Sequence, residues 1–398
     1  MDKVNMILLR NIKIYAENAT YNSGYIKIKN GKIIEIGENS KLTEEENYKE
    51  IPLPGNYSVI PGMIDIHIHG ADGADSMDGT CGALDTISAA LTKEGTTSFL
   101  ATTMTQDKSL IEEAIQNAGD YITHFQKEGH AEVLGIHLEG PFINKDMAGA
   151  QPIHHIIEPD VSLFKRWQDH SQQTIKLVTM APEAKGGMEL IRYLNENGVV
   201  VSIGHSNANY EEIDQAIEAG AKQVTHLFNQ MRGLHHREPG IVGATFLRDE
   251  LRAEIIVDGI HIRPEIVKLA FQQVTDQRLI LITDAMRAKS MKNGVYDLGG
   301  QEVTVADGKA TLKRGTLAGS VLKMGNAFKN ILAFTGCTIE SAIKMVSENP
   351  AKELGLFERL GSISTGKDAD MVILDGNLDV FMTICKGKIA FKKGEINI

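Results

Sequence analysis

The chain has 398 residues, 42% of them hydrophobic and 23% charged, and its 52 acidic against 41 basic side chains give a formal charge of −11. That length buries one large core or two smaller ones, and the acidic balance speaks against general binding to nucleic acid or to an anionic membrane surface. Three distant cysteines, Cys81, Cys337 and Cys385, make no zinc or disulfide spacing and point to the cytoplasm; no apolar run reaches a membrane span, and residues 1–10 lack a signal-peptide pattern.

In chain order, residues up to about 58 read as short strands at 6–9, 12–15, 24–28 and 32–37, with Asn30-Gly31 as a two-residue hairpin turn. A charged connector is expected at 41–47. From 59 to 354 the pattern changes to alternation. Apolar strand candidates at 60–69, 97–102, 133–139, 175–180, 199–205, 223–228, 253–261 and 279–284 are separated by segments that include amphipathic stretches at 84–94, 110–128, 187–197, 210–219 and 264–274. Eight strands in alternation with helices predict an α/β fold, a (β/α)8 TIM barrel, ahead of a doubly wound open sheet. Residues 286–320, rich in glycine and strand formers, read as a hairpin insertion after the eighth strand. Strand patterns return at 371–375, 380–385 and 388–391, with Lys386-Gly387 as a turn. The expected domains are therefore a small β-sandwich built from both termini, 1–58 and 356–398, and a metal-dependent catalytic barrel over 59–355.

The stretch Ile60-Pro61-Gly62-Met63-Ile64-Asp65-Ile66-His67-Ile68-His69-Gly70 ends in two histidines that share one face of a strand. Alone, such a pair is more often a core or loop pair than half a metal site. A barrel of this class carries its chemistry at the C-terminal strand ends, and the other expected ends supply Glu139, His205, His226 and Asp284. Each has an ordinary alternative: His205 as a cap, Glu139 as a solvated carboxylate, Asp284 as an N-cap. Six such side chains on one rim are harder to explain that way. Four imidazoles and a bridging carboxylate suit one or two divalent ions, zinc or iron first and cobalt or manganese next. Such ions make hydroxide available near neutral pH, and Asp284 would take the water's proton and return it to a leaving group. The class of reaction expected is metal-assisted hydrolysis. Of the remaining histidines, His261 ends the seventh strand and is placed to touch a substrate. His137 shares the face of Glu139 and reads as support. His124, His130 and His170, and the loop residues His154, His155, His235 and His236, read as surface.

The start at residues 61–69, the flanking β-rich ends and the strand-end ligands resemble the amidohydrolase superfamily. Longer motifs are similar to its N-acetylglucosamine-6-phosphate deacetylase family: His137-Leu138-Glu139-Gly140-Pro141-Phe142, Gly149-Ala150-Gln151, Gly204-His205-Ser206, Thr225-His226-Leu227-Phe228-Asn229, Arg237-Glu238-Pro239-Gly240, Asp258-Gly259-Ile260-His261, Thr283-Asp284-Ala285 and Leu317-Ala318-Gly319-Ser320. They run in order over nearly the whole chain. The resemblance implies a metal held by Glu139, His205 and His226, with Asp284 as the catalytic acid and base. It implies contacts to a phosphorylated N-acetylated amino sugar from Ala150, Gln151, Asn229, Gln230, Arg237 and His261, and from the backbone around Leu317, Ala318 and Gly319. It also implies a homodimer in which a phosphate contact crosses between subunits, and a place in amino-sugar catabolism and recycling. Some members lack the full His-x-His and hold one metal; His67 and His69 leave a two-metal site open here. Some carry histidine where this chain has Gln151, which hydrogen-bonds but does not titrate. The rival readings are the galactosamine epimer as substrate and a non-catalytic barrel used for assembly or ligand sensing. A cyclic amidase is also considered, but such relatives usually carry a bridging lysine where this chain has Met180-Ala181-Pro182-Glu183.

Overall fold

The computed structural model describes residues 6–43 and 48–394; residues 44–47 of the expected connector, with 1–5 and 395–398 of the expected small domain, lie outside them. Eight parallel strands, each paired with the next, form the central sheet: β1 (Met63–Ile68), β2 (Thr96–Thr102), β3 (Glu132–Glu139), β4 (Ile175–Met180), β5 (Val200–Ile203), β6 (Gln223–Val224), β7 (Arg252–Ile256) and β8 (Leu279–Ile282). The seam between β8 and β1 is drawn together beyond the strands. Asp284 N donates to His67 O at 2.9 Å, Thr283 donates its hydroxyl to the Asp65 carboxylate, and Ile68 bridges Ala285. The result is the (β/α)8 barrel that the alternation predicts.

Helices α1 (Cys81–Thr92), α2 (Lys108–Asp120), α3 (Val161–His170), α4 (Gly187–Glu196), α5 (Tyr210–Ala219), α6 (Gly240–Leu247), α7 (Pro264–Arg278) and α8 (Met324–Thr335) follow the strands. Local chemistry sets their ends. In α5, Asn209 and Glu212 form a reciprocal capping box, and Gly220 ends the helix at φ +117. Helix α3 starts where the Asp160 carboxylate accepts from Ser162 N and Leu163 N. It buries Leu163, Phe164 and Trp167, and the Trp167 ring stacks on Phe142 at 5.7 Å.

The stretch 60–69 is not one strand. Ser58–Pro61 pairs with Met371–Leu374 and with residues 13–14 in the small domain, and the chain then passes through Gly62 into β1. A Cβ on Gly62 would lie 2.1 Å from Thr97 Oγ1, so the crossing between sheets needs glycine. Residues 59–61 thus pair on the other side of the division expected at 58/59. The strands expected to run to 205, 228, 261 and 284 also stop early, so His205, His226, His261 and Asp284 stand on the loops that leave them.

The small sheet has eight strands from both ends of the chain, with Met6–Tyr15 and Met371–Leu374 on either side of Ser58–Pro61. It curls round its own core of Ile7, Leu9, Ile14, Ile26, Ile33, Ile373 and Ile384, and the hairpin tips at Gly31 and Gly387 come into contact. Residues 286–320 contain a three-stranded antiparallel sheet, Gly294–Leu298, Gln301–Ala306 and Lys309–Leu312, one strand more than the hairpin expected there.

Where the small sheet of the two chain ends meets the barrel, burial pushes the Asp370 carboxyl up to about 7, with Asp368 and Glu132 adding to the effect and the Lys386 N–H opposing it. The folded protein keeps this proton to about pH 7, whereas the unfolded chain releases it near 3.8. The group therefore lowers stability as pH rises between those values, by about 4 kcal/mol at most. Asp370→Asn keeps the oxygen that accepts from Lys386 N. It is expected to raise Tm at pH 8 and to leave it little changed at pH 4. An equal shift at both, read by thermal melting, would contradict this account.

Candidate metal centre

His67 is in β1, His69 lies one residue beyond that strand, and Glu139 ends β3. His205, His226 and Asp284 follow β5, β6 and β8 in left-handed backbone, at φ +47, +29 and +48. Such conformations are uncommon outside glycine and tend to cluster at functional sites. Here they turn three side chains inward from three loops. For Asp284 the geometry is held by backbone bonds, since its N–H donates to His67 O and its carbonyl accepts from Ser320 N at 2.7 Å.

All of these groups converge on Glu139. Its Oε1 lies 3.2 Å from His205 Nε2, 3.3 Å from His226 Nε2 and 3.4 Å from His67 Nε2, and its Oε2 lies 3.3 Å from His69 Nε2. Asp284 Oδ1 lies 3.3 Å from His69 Nε2 and 3.5 Å from His67 Nε2. His205 and His226 place their Nε2 atoms 3.2 Å apart. Four ligands about 2.0–2.1 Å from one tetrahedral ion are separated by about 3.3 Å, and the trio Glu139, His205 and His226 has that spacing.

The hydrogen-bond pattern fits the same occupant. His205 Nδ1 donates to Met147 O at 2.8 Å and His67 Nδ1 to the Glu254 carboxylate at 2.9 Å. Both partners only accept, so in the neutral rings the Nε2 lone pairs face Glu139. His67 Nε2 is buried without a hydrogen bond. Lone pairs aimed at a carboxylate and at each other call for positive charge between them. The electrostatics agree. Burial opposes charge on His69, but Asp284 and Glu139 outweigh it and push its pKa up to about 10; Glu139, Asp284 and Glu254 do the same for His67. Burial works against the Glu139 and Asp284 carboxylates, yet the histidines hold both below their ordinary range and so ionised. Among the described residues three overlapping groups could hold a cation: Glu139 with His205 and His226, Glu139 with His67 and His69, and, on the far side of His67, His67 with His137 and Glu254.

Ala150, Gln151, Asn229, Gln230, His261, Leu317 and Gly319 line the same cleft, together with His69, Glu139, His205, His226 and Asp284. Gln151 donates to Glu139 Oε2 at 2.7 Å. His261 is paired through Nδ1 with Asp258 at 2.7 Å; burial opposes its charge but this bond outweighs it and raises its pKa. Two of the expected contact residues stand apart. Ala318 is buried in the core of the insertion, its N–H donating to Ala310 O, and Arg237 is on an exposed loop with its guanidinium against His236. Glu183, in the segment after β4, accepts from Asn144, Ser206 and Asn207 and so braces the neighbouring loops.

The sequence reading missed Met104 and Leu298 in the cleft wall and two acids below it. Asp65 lies two residues before His67 on the same strand face, accepts from Thr283, and is pushed up to about 6 by burial. Glu254, in β7, accepts from His67 Nδ1, from Gln223 Nε2 at 2.7 Å and from His226 N at 3.3 Å. One carboxylate thus orients two rings of the site, and a lone acid within Arg252-Ala253-Glu254-Ile255-Ile256 was the signal available. Glu254→Gln is expected to weaken divalent-cation affinity by about 10- to 100-fold, as measured by metal titration. Unchanged affinity would remove Glu254 from this role.

The amidohydrolase family model matches residues 58–390. The chain is 46% identical over 386 residues to the N-acetylglucosamine-6-phosphate deacetylase of Bacillus subtilis (strain 168), covering 97% of each. It is 38% identical over 331 residues to the N-acetylgalactosamine-6-phosphate deacetylase of Escherichia coli O157:H7, covering 83% of this chain and 87% of that one. A solved variant of the Mycobacterium smegmatis N-acetyl-D-glucosamine-6-phosphate deacetylase, in complex with N-acetyl-D-glucosamine-6-phosphate, superposes with a TM-score of 0.90 at 29% identity, covering 98% of this chain and 100% of that one. With its barrel, its His/Glu centre and these relatives, the chain belongs to the amidohydrolase family and groups within it with the amino-sugar 6-phosphate deacetylases.

Proposed function

We propose that this protein hydrolyses the acetamide of N-acetyl-D-glucosamine 6-phosphate to D-glucosamine 6-phosphate and acetate, in the cytoplasm and in amino-sugar catabolism. The observation that carries this reading is the convergence of four imidazoles on Glu139 beside an ionised Asp284, at the floor of a cleft lined with hydrogen-bonding side chains. The substrate follows from the relative that is 46% identical over 97% of the chain.

In this reading His67, His69, Glu139, His205 and His226 hold one or two divalent ions, zinc or iron ahead of cobalt or manganese. A bound divalent ion supplies Lewis acidity, which lowers the pKa of water and stabilises charge developing on the acetyl oxygen. Asp284 accepts the proton of the attacking water and passes it to the nitrogen as the C–N bond breaks, so the amine leaves without negative charge. Gln151 keeps Glu139 oriented from one side and Glu254 keeps His67 oriented from the other. His261, charged more readily than a free histidine because Asp258 holds it, faces the substrate. Asn229 and Gln230 meet sugar hydroxyls, and Ala150, Leu317 and Gly319 frame the ring. Arg237 binds the phosphate through paired charge-assisted hydrogen bonds; its exposed loop suits delivery into the cleft of the other subunit of a homodimer. The catalytic barrel takes over from the small domain after Gly62, and the small domain is built from both ends of the chain.

The relative at 38% identity favours the galactosamine epimer as a second reading. One experiment separates them: metal content of the purified protein, measured beside acetate release from the two epimeric N-acetylhexosamine 6-phosphates. Faster release from the glucosamine compound, from protein with bound metal, is expected. The reverse preference would move the assignment to the epimer, and no release from either by metal-loaded protein would sink the hydrolase reading.

A further inference from the structure

The sugar hydroxyls, phosphate and amide of the proposed substrate require polar partners, and the methyl group of its acetamide does not. Most of the cleft is polar, yet Met104 and Leu298 line it and are almost fully buried. Both belong to the apolar cluster of the insertion, with Met286, Val303, Val305 and Ala318.

Three observations place this pair beside the reacting end of the cleft. The residue after Met104, Thr105, donates its N–H to Gln151 at 2.8 Å, and Gln151 donates to Glu139 Oε2. Met104 is therefore tied through one side chain to the carboxylate at the centre. Gly299, next to Leu298, sits so close to Met104 that a Cβ there would lie 2.5 Å from the Met104 sulfur, so the two segments are in contact. Amide side chains fasten the insertion on both sides of Leu298's turn: Gln106 donates to Gly299 O at 2.7 Å and Gln301 to Ala150 O.

We propose that Met104 and Leu298 form the acyl pocket, the wall against which the acetamide methyl packs, and that their bulk sets the longest acyl chain the enzyme removes. This rests on the deacetylase reading above. The insertion is then a specificity element: it carries Leu298 into the cleft, and its two amide anchors keep the pocket shallow. One methylene in an apolar pocket changes kcat/KM by about 10- to 200-fold, so a pocket sized for methyl discriminates against propionyl by at least the lower figure.

The test compares N-formyl, N-acetyl and N-propionyl glucosamine 6-phosphate with the metal-loaded full chain. Leu298→Ala and Met104→Ala are each expected to raise the propionyl-to-acetyl ratio of kcat/KM about tenfold. Leu298→Phe is expected to raise the formyl-to-acetyl ratio. A ratio taken within one preparation is not moved by a smaller active fraction, and thermal melting identifies any variant that fails to fold. Unchanged ratios in folded Leu298→Ala and Met104→Ala would overturn the acyl pocket while wild-type acetate release still upholds the deacetylase. Absence of acetate release from the wild type would instead defeat the reading on which it rests.

Discussion

Asp284→Asn is expected to lower turnover by at least about 10²- to 10⁴-fold, the range general acid–base catalysis contributes, while the protein keeps its metal. The substitution preserves shape and removes only the ability to accept and return a proton. Burial works against the Asp284 carboxylate, and His67 and His69 outweigh it, so the group is ionised across the neutral range. Its position does not depend on that charge: backbone bonds to His67 O and from Ser320 N fix the residue in its left-handed turn. The trio Glu139, His205 and His226 makes no use of Asp284 and is expected to hold its ion in the variant. Acetate release and elemental analysis on one preparation decide the matter. Undiminished turnover removes Asp284 from the mechanism, and loss of metal from that trio recasts it as a ligand.

The barrel was legible because its strands are apolar runs set among amphipathic helices, and five of the six rim side chains stand at or just beyond strand ends, where this fold places chemistry. Strand limits were less so. The expected strands run on over 204–205 and 225–228, and the left-handed backbone of His205, His226 and Phe228 beyond the true strand ends has no marker in the residue types. Likewise 60–69 is apolar throughout although two sheets share it, and only Gly62 marks the crossing. Met104 and Leu298 could not be found by any strand-end rule. They come together only when the insertion folds back over β2, a contact between positions nearly two hundred residues apart.

Glu254 shows the complementary limit. Its identity was visible as an acid in an apolar strand, but its use depends on facing His67 across the closed barrel, where residues 187 apart in the chain lie at 2.9 Å. The site is thus built in layers. Residues at and just beyond the strand ends supply the ligand atoms, and mid-strand acids, which sequence spacing ranks low, set their direction.

Glu139→Gln is expected to remove both metal and turnover, and the reason lies in Gln151. The side-chain oxygen of Gln151 accepts from Thr105 N at 2.8 Å, so its amide nitrogen must be the atom that donates to Glu139 Oε2. An amide introduced at position 139 must therefore turn its own oxygen toward Gln151, since the opposite orientation sets two donors against each other. Its NH₂ then replaces Oε1, the oxygen that His67, His205 and His226 share. A donor with no lone pair stands where an anionic ligand is required, and the negative charge that draws a cation between the rings is gone. Metal affinity is expected to fall by more than the roughly hundredfold upper figure for losing an outer partner, with acetate release falling to background. Metal content after dialysis, set beside that of Asp284→Asn, separates the two roles: the Asp284 variant keeps the ion without turnover, and the Glu139 variant loses both. A Glu139→Gln protein with a full metal complement would show that the shared oxygen is not the anchor of the site.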